Sequence, residues 1–130
     1  MTQQRVLIVE DNVDNFELVR FILARAGYEV LSAANGTRGV ETALREQPDL
    51  ILMDLSMPEM DGWDAAKQLK ADERTRKIPV LALTAHTLPG DRKRAIEAGC
   101  DGYISKPINV ASFEKLVATL VRQARADLQT

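Results

Sequence analysis

The chain has 130 residues, 45% of them hydrophobic, and carries 17 Lys and Arg against 19 Asp and Glu for a net charge of -2. That length suits one domain with a core of its own, and so even a charge balance offers no basic field to draw nucleic acid. Cys100 is the single cysteine, which excludes an intrachain disulfide and a multi-cysteine zinc site, and no apolar run is long enough for a membrane helix.

The first apolar run, Val6 to Val9, is too short for a helix and too continuous for a half-exposed strand, so it predicts a strand buried on both faces. It ends abruptly in Glu10, Asp11 and Asn12. A helix follows, with Phe16, Val19, Leu23 and Ala26 on one stripe. Asp14 with Glu17 has the spacing of a capping box at its start, and Gly27 suits its close. Tyr28 to Ala33 is a less apolar, peripheral strand, and a second helix is expected at about Thr37 to Glu46. Leu50 to Met53 is the next buried strand, followed by the turn-rich SMPEMDG and a weakly periodic helix at about Gly62 to Ala71. Val80 to Leu83 repeats the buried-strand pattern. A helix at about Gly90 to Ala98, a strand at Gly102 to Ser105 and a final helix with Phe113, Leu116, Val117, Leu120 and Ala124 on one stripe complete the chain. Five strands alternating with five helices predict a parallel sheet covered on both faces. One domain is expected over residues 5–126, with 1–4 and 127–130 as short tails and no output domain attached.

In such a sheet, ligand sites gather beyond the carboxyl ends of the strands, where strand order reverses. That edge collects Glu10 and Asp11 from the first strand, Asp54 from the third, Thr84 from the fourth and Lys106 from the fifth. Each alone is an ordinary surface or turn residue; four strands delivering a polar group to one end is not ordinary. Three carboxylates held together repel one another and raise at least one pKa unless a cation joins them. Oxygen-only ligands suit a hard ion such as Mg²⁺, and Mg²⁺ with an ammonium and a hydroxyl forms a cradle for a phosphoryl group. A carboxylate inside that cradle can be the nucleophile, and Asp54, ending the most central strand, fits that part.

The pieces IVEDN, LILMDLSMPEMDG, VLALTAH and DGYISKP, in this order and spacing, resemble the receiver domain of the response-regulator family in two-component signalling. The resemblance implies a flavodoxin-like, doubly wound α/β fold of strand order 2-1-3-4-5. It implies phosphorylation of Asp54 by a phosphohistidine on a histidine kinase or histidine phosphotransfer protein. It further implies that Asp11, Asp54 and the backbone carbonyl of Ser56 ligate Mg²⁺, with Glu10 assisting through water. Thr84 and Lys106 would contact the phosphoryl oxygens, and the bond between Lys106 and Pro107 would be cis. Two readings of Tyr103 stand side by side: a switch residue whose rotamer follows phosphorylation, and a half-buried tyrosine on an edge strand. His86 reads either as a base or metal ligand or as a residue bordering the site that tunes access of water. Trp63, Met57 and Met60 read either as a partner surface or as packing of the third helix and its loop. The implied output is switched binding to a downstream target protein in the cytoplasm, with neither membrane nor nucleic acid as direct partner. Self-phosphorylation and autodephosphorylation are the only catalysis implied. The competing function is an Mg²⁺-dependent phosphohydrolase with an aspartyl-phosphate intermediate; Ser56 stands where haloacid dehalogenase-type enzymes place a second Asp, which speaks against it. A flavodoxin-type electron carrier is disfavoured because the acids of EDNVDN would repel its phosphate.

Overall fold

The computed structural model describes residues 3–55, 61–84 and 91–129. Five parallel strands, β1 (Arg5–Val9), β2 (Glu29–Ala33), β3 (Leu50–Asp54), β4 (Val80–Thr84) and β5 (Gly102–Ser105), form one sheet in the order β2-β1-β3-β4-β5. They alternate with α1 (Val13–Arg25), α2 (Gly36–Glu46), α3 (Asp61–Ala71), α4 (Asp91–Glu97) and α5 (Val110–Gln129). The expected architecture and strand order are those observed.

Alternation along the central strands explains why their sequences are continuously apolar. Val6 and Ile8, Leu50 and Leu52, and Leu81 and Leu83 face one layer, where they meet Val19, Ile22 and Leu23 of α1 and Phe113, Val117, Leu120 and Val121 of α5. Leu7 and Val9, Ile51 and Met53, and Val80 and Ala82 face the other, against Ala43 of α2, Trp63, Ala66 and Leu69 of α3, Ala95 of α4 and Ala98 just after it. Neither face meets water, so neither needs polar residues. β2 and β5 are the edges, and their mixed burial matches their less apolar sequences.

Three local expectations are corrected. The N-cap of α1 is Asn12, whose side-chain oxygen accepts from Asn15 N at 2.9 Å, and not Asp14 with Glu17. The cap lies two residues before Asp14 and the helix starts at Val13, so Glu17 lies on its exposed side and pairs with Arg20 at 2.7 Å instead. Ala26 is the C-cap and exposed, and Ile22 takes its place on the buried stripe; Gly27 closes the helix at φ 98° as expected. Finally, α5 runs through residues 127–129, where a tail was expected. The stretch from Ala124 to Gln129 is rich in strong helix formers and holds neither Gly nor Pro to stop the helix.

Candidate functional site

The carboxyl ends of β1, β3, β4 and β5 bring the expected side chains together. Glu10 N donates to the Ala33 carbonyl at 3.0 Å, extending the β1–β2 ladder by one residue past the strand. That bond holds Glu10 inward, only 7% exposed, while the next residue, Asp11, faces solvent. Asp54 is the last residue of β3 and 3% exposed; Leu55 N donates to the Leu83 carbonyl at 2.7 Å just beyond it. Thr84 ends β4, buried, one residue past the register partner of Asp54. Lys106 N donates to the Thr84 carbonyl at 2.8 Å, which aligns the residue after β5 with the end of β4. The Lys106–Pro107 peptide is cis, as the resemblance implied.

These backbones deliver Lys106 Nζ to 3.2 Å from Asp54 Oδ2 and 3.6 Å from Glu10 Oε1. One oxygen each from Glu10, Asp11 and Asp54 lie within 4.8 Å of one another. Three acids and one ammonium leave the cluster short of positive charge, and Glu10 registers it. Burial first, then a hydrogen bond to Asp54 and the charge of Asp54, push the Glu10 carboxyl well above the usual carboxylate range. Lys106 and the Asn12 N–H, which approaches Glu10 Oε2 at 3.4 Å, pull the other way without cancelling the rise. Glu10 Oε1 is buried without a hydrogen-bond partner among the described residues. An all-oxygen donor set, excess negative charge and an orphaned buried oxygen are what a hard divalent cation satisfies. The residues present therefore fit such an ion.

Two features of the site were not legible in advance. Gly62, in the first turn of α3, lies so close to β3 that an added Cβ would stand 2.7 Å from the Asp54 carbonyl oxygen. The Asp-Gly pair ending SMPEMDG reads as turn chemistry, and nothing in it reveals this approach. The other is the cation above Trp63; the indole itself is 6% exposed within the core, so of its two readings packing of the third helix is the one the structure favours. The guanidinium of Arg94 on α4 lies over its ring, 4.4 Å from the centroid. Tyr103 is half-buried opposite Ala82 and packs on the core layer that holds α3 and α4. Ser56, Met57, Met60 and His86 lie outside the described residues. Burial, then the charge of Asp101, push the Cys100 thiol up to about 11, which keeps it in the unreactive protonated form at neutral pH. No helix among the described residues is long and apolar enough to cross a membrane.

Residues 6–118 match the family model of the response regulator receiver domain. The chain is 42% identical over 119 residues to the polar-differentiation response regulator DivK of Brucella anthropi, covering 92% of this chain and 97% of that protein. Among solved structures it is similar to the receiver domain of the sensor histidine kinase PA1611 of Pseudomonas aeruginosa PAO1, which has a magnesium ion coordinated in its active site cleft. The identity there is 36% and the TM-score 0.85, over 92% of this chain and 98% of that one. The chemotaxis protein CheY4 of Vibrio cholerae superposes with a TM-score of 0.85 at 29% identity, over 92% of this chain and 99% of that one. With the strand order, the strand-end acids and the Lys106 contact in agreement, the chain belongs to the response regulator receiver domain family of two-component signalling.

Proposed function

We propose that this chain is a phosphoacceptor whose Asp54 takes a phosphoryl group from a phosphohistidine on a histidine kinase or histidine phosphotransfer protein. The observation that carries the reading is the placement of Lys106 Nζ at 3.2 Å from a buried carboxylate that two further acids surround. An Asp54 carboxylate oxygen bonds to phosphorus as the phosphorus–nitrogen bond breaks, and the imidazole leaves with that electron pair. Lys106 then faces the transferred group and donates to its oxygens, and the Thr84 hydroxyl donates from the neighbouring strand end. Asp11, Asp54 and the Ser56 carbonyl would hold Mg²⁺, with Glu10 reaching it through water, and the magnesium in the cleft of the PA1611 receiver domain supports that choice. Bound there, the ion neutralises charge on the phosphoryl oxygens and on the three acids together.

Residues 5–126 act as the receiver unit, and their chemistry is limited to self-phosphorylation and autodephosphorylation. Phosphorylation switches binding to a downstream protein partner through Thr84 and Tyr103. A phosphohistidine donor is made by a kinase that uses ATP, so this reading puts the chain in the cytoplasm. The test is labelling by acetyl phosphate in the wild type and in Asp11→Ala. Labelling that needs Mg²⁺, and that drops sharply in Asp11→Ala while the fold persists, is expected; labelling that survives EDTA contradicts the metal assignment.

A further inference from the structure

Trp63 is the only tryptophan in the chain and directly follows Gly62, whose backbone rests against the Asp54 carbonyl. Its ring is buried among the side chains of α2, α3 and α4, and Arg94 covers it at 4.4 Å from the centroid, well inside the ~6 Å reach of a cation–π contact. Little of the described part of the helix that supplies Arg94 is buried. α4 has seven residues, and among its described side chains only the methyl group of Ala95 is buried in the core beneath it. Its largest apolar side chain, Ile96, is 62% exposed. One buried alanine contributes little free energy of its own, since the hydrophobic contribution scales with apolar area. The Arg94 stack on Trp63 joins α4 to α3.

α4 is also tied to the site by the chain itself. β4 ends at Thr84 and α4 begins at Asp91, so α4 is the element that directly follows the strand delivering Thr84 to the site. We propose that the Arg94–Trp63 contact is a latch that holds α4 against α3 in the unphosphorylated protein, and that its release favours the phosphorylated arrangement. The latch rests on the reading of Asp54 as phosphoacceptor and adds a second route from that residue, through Gly62 and Trp63, beside Thr84 and Tyr103. A contact made in one of two arrangements biases the balance by its own free energy.

The experiment measures two quantities on the full chain: amide hydrogen exchange in α4, and the beryllofluoride concentration that half-saturates the protein with Mg²⁺ present. Variants are Arg94→Ala, Arg94→Lys and Trp63→Leu, with the Arg94→Ala/Trp63→Leu double variant. Arg94→Ala is expected to speed exchange in α4 and to lower the half-saturating concentration, each by about three- to tenfold, the range of a partly desolvated cation–π contact. Arg94→Lys, which keeps a cation over the ring, is expected to recover part of both shifts. In the Trp63→Leu background, Arg94→Ala is expected to shift both quantities less than it does in the wild type, because the ring it stacks on is gone. Faster exchange with unchanged beryllofluoride affinity overturns the latch and leaves a structural contact. Unchanged exchange overturns it outright. If the wild type takes no beryllofluoride, the phosphoacceptor reading fails together with any link between latch and phosphorylation, whereas a wild type that responds with Arg94→Ala indistinguishable from it removes the latch alone.

Discussion

Replacing Gly62 with Ala puts a methyl group against the backbone that carries the phosphoacceptor. The new Cβ would sit 2.7 Å from the Asp54 carbonyl oxygen and 3.2 Å from Leu55 Cδ2. Ordinary carbon contacts need about 3.5 Å, so either the start of α3 or the end of β3 must retreat by several tenths of an ångström. The Leu55 side chain can turn aside; the Asp54 carbonyl cannot, because Leu55 N is bonded to Leu83 and β3 is paired on both sides. Overpacking of this kind costs about 1–3 kcal/mol of stability. Catalytic loss can exceed that figure in relative terms, since a misplacement of ~1 Å can lower a rate roughly 100-fold. A shift of about half that size makes a tenfold slower labelling of Asp54 the reasonable expectation. Urea denaturation gives the stability difference, and intact-mass time courses with acetyl phosphate give the rate under conditions where both proteins stay folded. A Gly62→Ala protein with unchanged midpoint and unchanged labelling rate would refute the claim that this approach positions Asp54.

Lys106→Met removes the ammonium that lies 3.2 Å from Asp54 and 3.6 Å from Glu10, and labelling by acetyl phosphate is expected to fall about 100- to 1000-fold, as when one preorganised donor is lost; near-normal labelling would remove Lys106 from the site. In the metal-free protein, the raised Glu10 carboxyl keeps its proton in the folded state at pH values where the unfolded chain has lost it. Folding then binds more protons, so stability falls as pH rises from the ordinary glutamate range toward the raised value, and Glu10→Gln is expected to flatten that slope in denaturation curves across pH. An identical slope in the variant would contradict the assignment. At the opposite end of the sheet, Lys70 pairs with Asp101 at 2.6 Å and donates to the Ile78 and Arg76 carbonyls at 2.8 and 3.1 Å. Lys70→Met is expected to cost about 1–3 kcal/mol by leaving those acceptors unmet, with the labelling rate of folded protein unchanged; slower labelling in parallel with the lost stability would show that the two ends are coupled.

The central strands were legible because burial on both faces removes every reason for polar residues, and the acids that end them stand out against that background. Glu10, Asp11, Asp54, Thr84 and Lys106 could be collected from the sequence because strand ends in a parallel sheet share one edge, and the structure brings Lys106 to Asp54 and Glu10 and groups the three acids. Helix starts were less legible. Asn12 and Asp14 are both good capping residues, and the choice between them depends on where the chain leaves β1, which local spacing does not encode. The length of α5 was missed because helix formers beyond the last buried stripe look like a tail when only periodicity is counted. Gly62 against Asp54, and Arg94 over Trp63, depend on how separate elements pack at close range, and neither residue type announces its partner.

The most direct measurement is the mapping of the phosphoryl group after reaction with a phosphorylated histidine phosphotransfer protein in the presence of Mg²⁺. Peptide mass spectrometry following borohydride reduction, which converts an acyl phosphate to the alcohol, locates the modified carboxylate. Modification at Asp54 alone, lost in Asp54→Asn, is the expected result. A phosphoryl group on any other residue of the wild type, or full labelling of Asp54→Asn, would contradict the assignment of this strand end as the phosphoacceptor site.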